Sequence, residues 1–399
     1  MAGGTAFATQ YKCRCICGAG GSACRFHATL SFILCEFDVQ REMNDTKPVD
    51  SASDSIQRTD RRNPMRYWQV YVIAFFAIWS VVAFGFHFWR EIAAHWRMSL
   101  VMIAGAFVAG STPMGGGTVA FPILVLVFKQ NPANARNFAL IIQALGSTSS
   151  FLMMIGRRIP LAFRFLAGSV GGAAIGFLLG TFLIAPHLQS SLVKLLFACL
   201  WMSFGLLTLF RNIEICGLHG RGPLSNVSTV LIGLAAGIVG GTLASIIGVG
   251  VEMCVYAVLV LVYRTDLRIA IPTAVAACGL SSLEAAALHV WIRDIDRQTA
   301  MNWLAAGPVV IFMVPVGTWL ARRLPRVRVL YFVAGLCIFQ FLWTLQQTAG
   351  GRTEWIFAAA AMSTGSVLLY ILYKTGKRRE KTDAVRSVGS HAAQVIIET

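Results

Sequence analysis

Ala109-Gly-Ser-Thr-Pro-Met-Gly-Gly-Gly-Thr-Val-Ala-Phe-Pro122 interrupts an otherwise apolar run with three consecutive glycines and two prolines. Hydrocarbon penalises such a break. Unsatisfied backbone N–H and C=O groups are costly there, so irregular backbone survives at membrane depth only inside protein or beside water. A second break, Ser245-Ile-Ile-Gly-Val-Gly-Val-Glu252, places Gly248 132 residues after Gly116. Paired breaks in two halves of a membrane chain point to a transporter's substrate site.

The rest of the chain suits that reading. Of 399 residues, 56% are hydrophobic and only 13% charged, and the mean hydropathy is +0.65. A soluble domain carries about 25% charged residues, so the expected class is a polytopic bundle of transmembrane helices in a lipid bilayer. The net charge of +16 does not imply nucleic acid, because Lys and Arg sit in short loops and tails rather than on one face. Cys199, Cys216, Cys254, Cys278 and Cys337 lie scattered in apolar segments and read as small packing residues. Cys13, Cys15, Cys17, Cys24 and His27 imitate a metal site. They lack the paired spacing and the second pair that zinc needs, so no cofactor is expected. Residues 36–64 are polar, and residues 1–64 as a whole read as a disordered N-terminal extension.

Ten apolar segments follow, at 70–89, 100–128, 137–155, 161–185, 191–210, 227–263, 269–291, 301–321, 327–347 and 353–373. Spanning needs about 20 residues, so 100–112 and 115–128 are each too short alone. Either they form one interrupted span or a hairpin that enters and leaves on one side. If both broken segments are hairpins and the N-terminus is cytoplasmic, Lys and Arg divide 21 inside to 7 outside; single crossings give 18 to 10. The positive-inside rule therefore favours hairpins, one opening outward and the other toward the cytoplasm. Three spans between them make the two halves inverted repeats, at about 100–210 and 227–347. The transporter domain is then 65–376, with a cytoplasmic tail at 377–399. At an offset of 132, Gly116 falls on Gly248, Val119 on Val251, Arg136 on Arg268, Ala144 on Ala276 and Ser149-Ser150 on Ser281-Ser282.

The breaks carry anion chemistry without a charged side chain. Gly115, Gly116 and Gly117 let backbone approach a ligand, Pro113 frees carbonyls upstream, and a helix restarting at Gly117-Thr118 aims N–H groups into the break. Ser111, Thr112 and Thr118 add hydroxyls; in the second half Gly248 and Gly250 supply the bare backbone and Ser245 the hydroxyl. After each hairpin comes a polar stripe: Gln143, Ser147 and Ser150 share a face at i, i+4 and i+7, and Ser281 and Ser282 follow in the other half. The stripe suits either interhelical hydrogen bonding or substrate lining. Glu252 and Glu284 are the two carboxylates inside apolar stretches, and intramembrane charges are functional by default. Glu252, beside the break, is the favoured carrier of a coupling proton, since protonation removes charge that would repel an anion.

At these motifs the chain resembles the sulfite exporter TauE/SafE family of bacterial membrane permeases. The resemblance covers about 97–370. It rests on Pro113-Met-Gly-Gly-Gly-Thr-Val-Ala-Phe-Pro122, on Gly248-x-Gly250 and on Asp266-Leu-Arg-Ile-Ala-Ile-Pro-Thr273. It implies a duplicated helical bundle that exports sulfite, sulfonates or related sulfur-containing anions across the cytoplasmic membrane. Two rival readings compete with this one. A membrane enzyme would need a convergent nucleophile–base pair or metal ligands, whereas all seven histidines fall near helix ends, loops or tails. A non-transporting auxiliary subunit would use the breaks for packing alone. The sequence has no GxxxxGK[ST] pattern for ATP, and it does not fix the oligomeric state.

Overall fold

A computed structural model describes residues 65–218, 220, 227–321, 323–348 and 351–398; the N-terminal extension and its cysteines lie outside them. Within the described residues the chain is helical: α1 Arg66–Ser80, α2 Trp89–Ala94, α3 Trp96–Ser111, α4 Gly117–Pro122, α5 Pro132–Gly156, α6 Phe163–Leu179, α7 Ser190–Cys216, α8 Val227–Ile247, α9 Val251–Ala257, α10 Leu267–Trp291, α11 Arg297–Ala321, α12 Arg326–Thr348 and α13 Arg352–Glu398. With the π-helical turns that continue some of them, nine of these helices are long and apolar enough to cross a membrane; Trp96–Ser111, Gly117–Val127 and Val251–Val262 are not. All ten apolar segments of the sequence are recovered, the two broken ones as pairs of helices.

The chain turns back at each break. A Cβ on Gly116 would stand 3.6 Å from the carbonyl of Gly105 in α3, and a Cβ on Gly240 in α8 would stand 2.7 Å from the Cα of Val251. Each return arm therefore lies beside the helix that led into it. Both arms close with a five-residue π turn, Ile123–Val127 and Val258–Val262. Each then passes through a left-handed basic residue, Lys129 (φ 54°) or Arg264 (φ 53°). Next comes a helix cap: Asn131 accepts from Ala133 N at 3.0 Å and Asp266 from Arg268 N at 2.7 Å. Arg158 and Arg293, again left-handed, end the helices that follow. These matched pairs stand 135 residues apart, not 132. The pairings read at 132 thus do not join equivalent positions: Arg136 is buried whereas Arg268 is exposed.

Helix packing is set by where side chains are missing. α5 crosses α10, α7 packs on α12, α3 on α11 and α6 on α8. The α6–α8 seam is built from glycine on both sides. A Cβ on Gly168, Gly172 or Gly176 would stand 2.2, 2.1 or 2.3 Å from the carbonyls of Val230, Leu234 and Ile238. In return, a Cβ on Gly233, Gly237 or Gly241 would stand 2.5, 2.0 or 2.4 Å from those of Phe165, Ser169 and Ala173. Small residues at four-residue spacing let two backbones touch where the hydrophobic effect offers no drive between helices.

α13 runs past the last apolar segment and closes on the second return arm, where a Cβ on Gly376 would stand 1.8 Å from the carbonyl of Leu261. Beyond it, Arg264 bonds Glu214 at 2.5 Å and Glu380 at 3.2 Å, and the Tyr373 hydroxyl donates to Glu214 at 2.7 Å. Partial burial pushes the Glu214 carboxyl up. The hydrogen bonds from Tyr373 and Arg264 and the charges of Arg264 and Lys377 outweigh this and hold it below its ordinary value.

Two outcomes are expected. Gly172→Val forces the α6–α8 seam apart and lowers the melting temperature of the detergent-solubilised protein, at a cost of about 2 kcal/mol or more. Gly171→Val, whose Cβ meets nothing within 4 Å, leaves melting unchanged. A depressed carboxyl stabilises above its unfolded value of about 4.3 and loses that contribution as pH falls through the folded value. The protection factors of α13 amides near Tyr373, which correct for the intrinsic pH dependence of exchange, should therefore fall as pH drops through the lowered Glu214 value in the wild type and be lower but flat over the same range in Glu214→Gln.

Candidate functional site

In the first break the hydroxyls are turned inward on their own helix. Ser111 Oγ donates to Phe107 O at 2.7 Å, and Thr112 Oγ1 donates to Val108 O at 2.8 Å while accepting from Met114 N at 3.3 Å. Thr118 Oγ1 closes the turn on the Met114 carbonyl, and the Thr118 carbonyl takes the Gln340 amide at 2.6 Å. Gly115 then reverses the chain at φ +70°. No side chain fits there: a Cβ would stand 2.4 Å from Glu252 Oε1 and 2.5 Å from Gln143 Oε1.

The second break is left-handed at Gly248 (φ +80°) and Gly250 (φ +154°). Gly248 O would be an orphan acceptor in the bundle interior. Gln143 Nε2 reaches it at 2.8 Å, sharing its donors with Ala139 O at 2.8 Å. Gly117 lies against this second break, where a Cβ would stand 2.5 Å from Val249 Cγ1 and 3.1 Å from Gln143 Nε2.

The two breaks therefore meet on Gln143. The polar set at the junction is completed by α10: Cys278 Sγ donates to Gln143 Oε1 at 3.0 Å, and Ser147 Oγ donates to Cys278 Sγ at 3.7 Å. Gln143 and Cys278 stand 135 residues apart, the same spacing as the caps Asn131 and Asp266. Glu252 is 2% exposed, and its carboxylate is held by the N–H groups of Gly250 and Glu252, with the Cys278 sulfur beside it. Its Oε1, facing Gly115, has no hydrogen-bond partner.

Not every residue named from the sequence reaches this junction. Ser282 bonds Cys278, and Ser281 Oγ donates to Cys278 O at 3.3 Å. Ser150 instead pairs with Thr318 on α11 at 2.6 Å. Ser245 Oγ turns back on Thr242 O at 2.7 Å and packs against Gly180 of the α6 side. Glu284 is half-buried, with no hydrogen bond to the break residues. Sequence reading missed Cys278 and Arg136. Alignment on the caps Asn131 and Asp266 would have set Cys278 opposite Gln143. Nothing in the local pattern distinguished Arg136 from a loop charge, yet it is 7% exposed. His289, near the end of α10, is fully buried and bonds Asp294 at 3.1 Å.

Space near the junction is graded. Beside Gly116, Gln143 and Ser147 the gap lined by Met102, Ala106, Val310 and Val314 leaves no room for a water-sized sphere. At the mouth of the first hairpin an open cavity of about 270 Å³ is lined by His95, Arg97, Gln130, Gln298 and Asn302. Both line the same seam, α3 against α11, with Met98 at the outer cavity and Met102 at the inner gap.

Residues 98–344, which contain both breaks and the whole junction, match the profile described as Sulfite exporter TauE/SafE. The chain belongs to that family. No curated protein and no solved structure matches it. TauE/SafE membership, with nine helices among the described residues long and apolar enough to cross a membrane, places the chain in a family of multi-pass membrane transporters.

Gly115→Ala tests the junction of this TauE/SafE protein. Its Cβ would force Glu252 and Gln143 away, in a backbone conformation that suits glycine. A fall in transport of about tenfold or more is expected, read in vesicles at matched protein content.

Proposed function

We propose that the protein exports a small sulfur-containing oxyanion, of the sulfite or organosulfonate class, across the cytoplasmic membrane, with both termini in the cytoplasm. The single observation that carries this is the junction where Gly115, Gln143, Cys278 and Glu252 meet. Two breaks from separate halves converge there, and Glu252 Oε1 is left buried and unpartnered. The substrate site comprises the break glycines Gly115, Gly116, Gly117, Gly248 and Gly250, with Gln143 and Ser147 as polar lining.

The halves are inverted repeats in this reading. Support comes from the pairing of helices, which is unchanged when the halves are exchanged. α3 with α11 becomes α8 with α6, while α5 with α10 and α7 with α12 map onto themselves. The 135-residue recurrence of caps and left-handed residues points the same way. Inverted repeats with broken helices at the midplane suit alternating access around a fixed site.

Glu252 is the coupling group. An anion beside a charged, unpartnered carboxylate is repelled; a proton on Oε1 removes the charge and supplies a donor. Proton and anion then move as a linked pair.

Purified protein in lipid vesicles should move sulfite in preference to carboxylates, faster with a pH gradient than without. Transport by Glu252→Gln should persist but ignore the gradient. Failure of folded protein to move any of sulfite, thiosulfate, sulfonates or carboxylates would sink the reading. Full gradient response in Glu252→Gln would take coupling away from that residue.

A further inference from the structure

Among the described residues, Arg136 is the only Lys or Arg that the fold buries. It stands on the α5 face that carries Ala139 and Gln143, against the tip of the second hairpin: a Cβ on Gly248 would lie 3.0 Å from Arg136 Cα. Its three donor directions are all occupied. Nε bonds Asn137 Oδ1 at 3.0 Å, Nη1 bonds the Ser245 carbonyl at 3.3 Å, and Nη2 bonds Asp294 Oδ2 at 2.7 Å. Asp294 belongs to the short loop between α10 and α11. His289 Nδ1 lies 3.1 Å from its Oδ2, and Asn137 Nδ2 donates to its carbonyl at 2.6 Å.

The pair is uneven. The Arg136 side chain is 9% exposed and that of Asp294 40%. The guanidinium is nearly buried and fixed by Ser245 and Asn137, whereas the carboxylate sits on a loop with much of its surface exposed. The member able to leave is therefore the anion. A planar guanidinium fork matches any oxyanion that presents two oxygens, and sulfite or a sulfonate does so as well as a carboxylate.

Building on the transport reading above, we propose that Asp294 is a tethered stand-in for the transported anion. An arriving oxyanion displaces it from Arg136, and the α10–α11 loop loosens from α5, to which the Asn137 and Asn134 bonds to Asp294 O and Asp296 still tether it. Arg136 lies two helical turns, about 10 Å, from Gln143. It forms a recognition station at one end of the hairpin tip, separate from the central junction. Displacement also ties this loosening to substrate, because the anion binds only the state in which Asp294 has let go.

Sulfite is the probe, read by transport in vesicles and by thermal stabilisation of the detergent-solubilised full chain. Asp294→Asn removes the competing charge, so the KM for sulfite and the concentration giving half-maximal stabilisation should both fall about tenfold. Arg136→Lys keeps the charge but loses the fork, and should raise both. A purely structural pair predicts the opposite for Asp294→Asn: lower melting temperature, less folded protein and no tighter sulfite response. Wild-type transport with an unchanged KM in Asp294→Asn overturns the displacement proposal alone. Absence of both transport and stabilisation by sulfite in folded wild type overturns it together with the transport reading.

Discussion

One buried carbonyl governs the centre of the protein. Gly248 O, freed by the left-handed turn of the second break, must find a donor where water does not reach, and Gln143 supplies it. That bond requires α5 to pass directly behind the tip of the second hairpin. It also brings the first hairpin in, because Gly115 and Gly117 pack on the same amide. Remove the glycines and the hairpins cannot approach Gln143; remove Gln143 and the break loses its partner. The convergence of the two halves follows from satisfying one acceptor.

The two stretches around the breaks recur in local geometry but differ in chemistry. Caps, left-handed basic residues and π turns recur at 135 residues, while the equivalent side chains diverge. Gly117 answers Glu252, and Gln143 answers Cys278. Glycine in one half makes room for the carboxylate contributed beside it by the other. At the junction this leaves the unpartnered Glu252 oxygen, an amide that donates to both breaks' surroundings and a thiol beside it.

Much of the frame was legible in the sequence. Apolar length gave the spans within a few residues, and three glycines between short arms gave the hairpins, because hydrocarbon tolerates so few alternatives. The register of the halves was not legible from identities: Gly116 with Gly248 is a coincidence of two glycine-rich turns that differ in length. The caps Asn131 and Asp266, which have a fixed mechanical role, mark the true spacing. Side-chain roles were harder still. Hydroxyls such as Thr112, Thr118 and Ser245 look like ligand donors in a list of residues, but each can bond a backbone carbonyl three or four residues back, and does. Arg136 shows the reverse error. Arginine near a loop reads as a topology signal until a fold closes over it.

The α6–α8 seam has a consequence for how the second hairpin keeps its height. Glycines repeat every fourth residue on both faces, so sliding one helix by a turn would set the same bare backbone under the same carbonyls. A periodic track of that kind cannot select its own position. Thr242 Oγ1, bonded to the Gly176 carbonyl at 3.3 Å, and Ser245, wedged on Gly180, break the periodicity at one end only. They act as the stop on an otherwise featureless rail, and the depth at which Gly248 meets Gln143 is indexed by two hydroxyls.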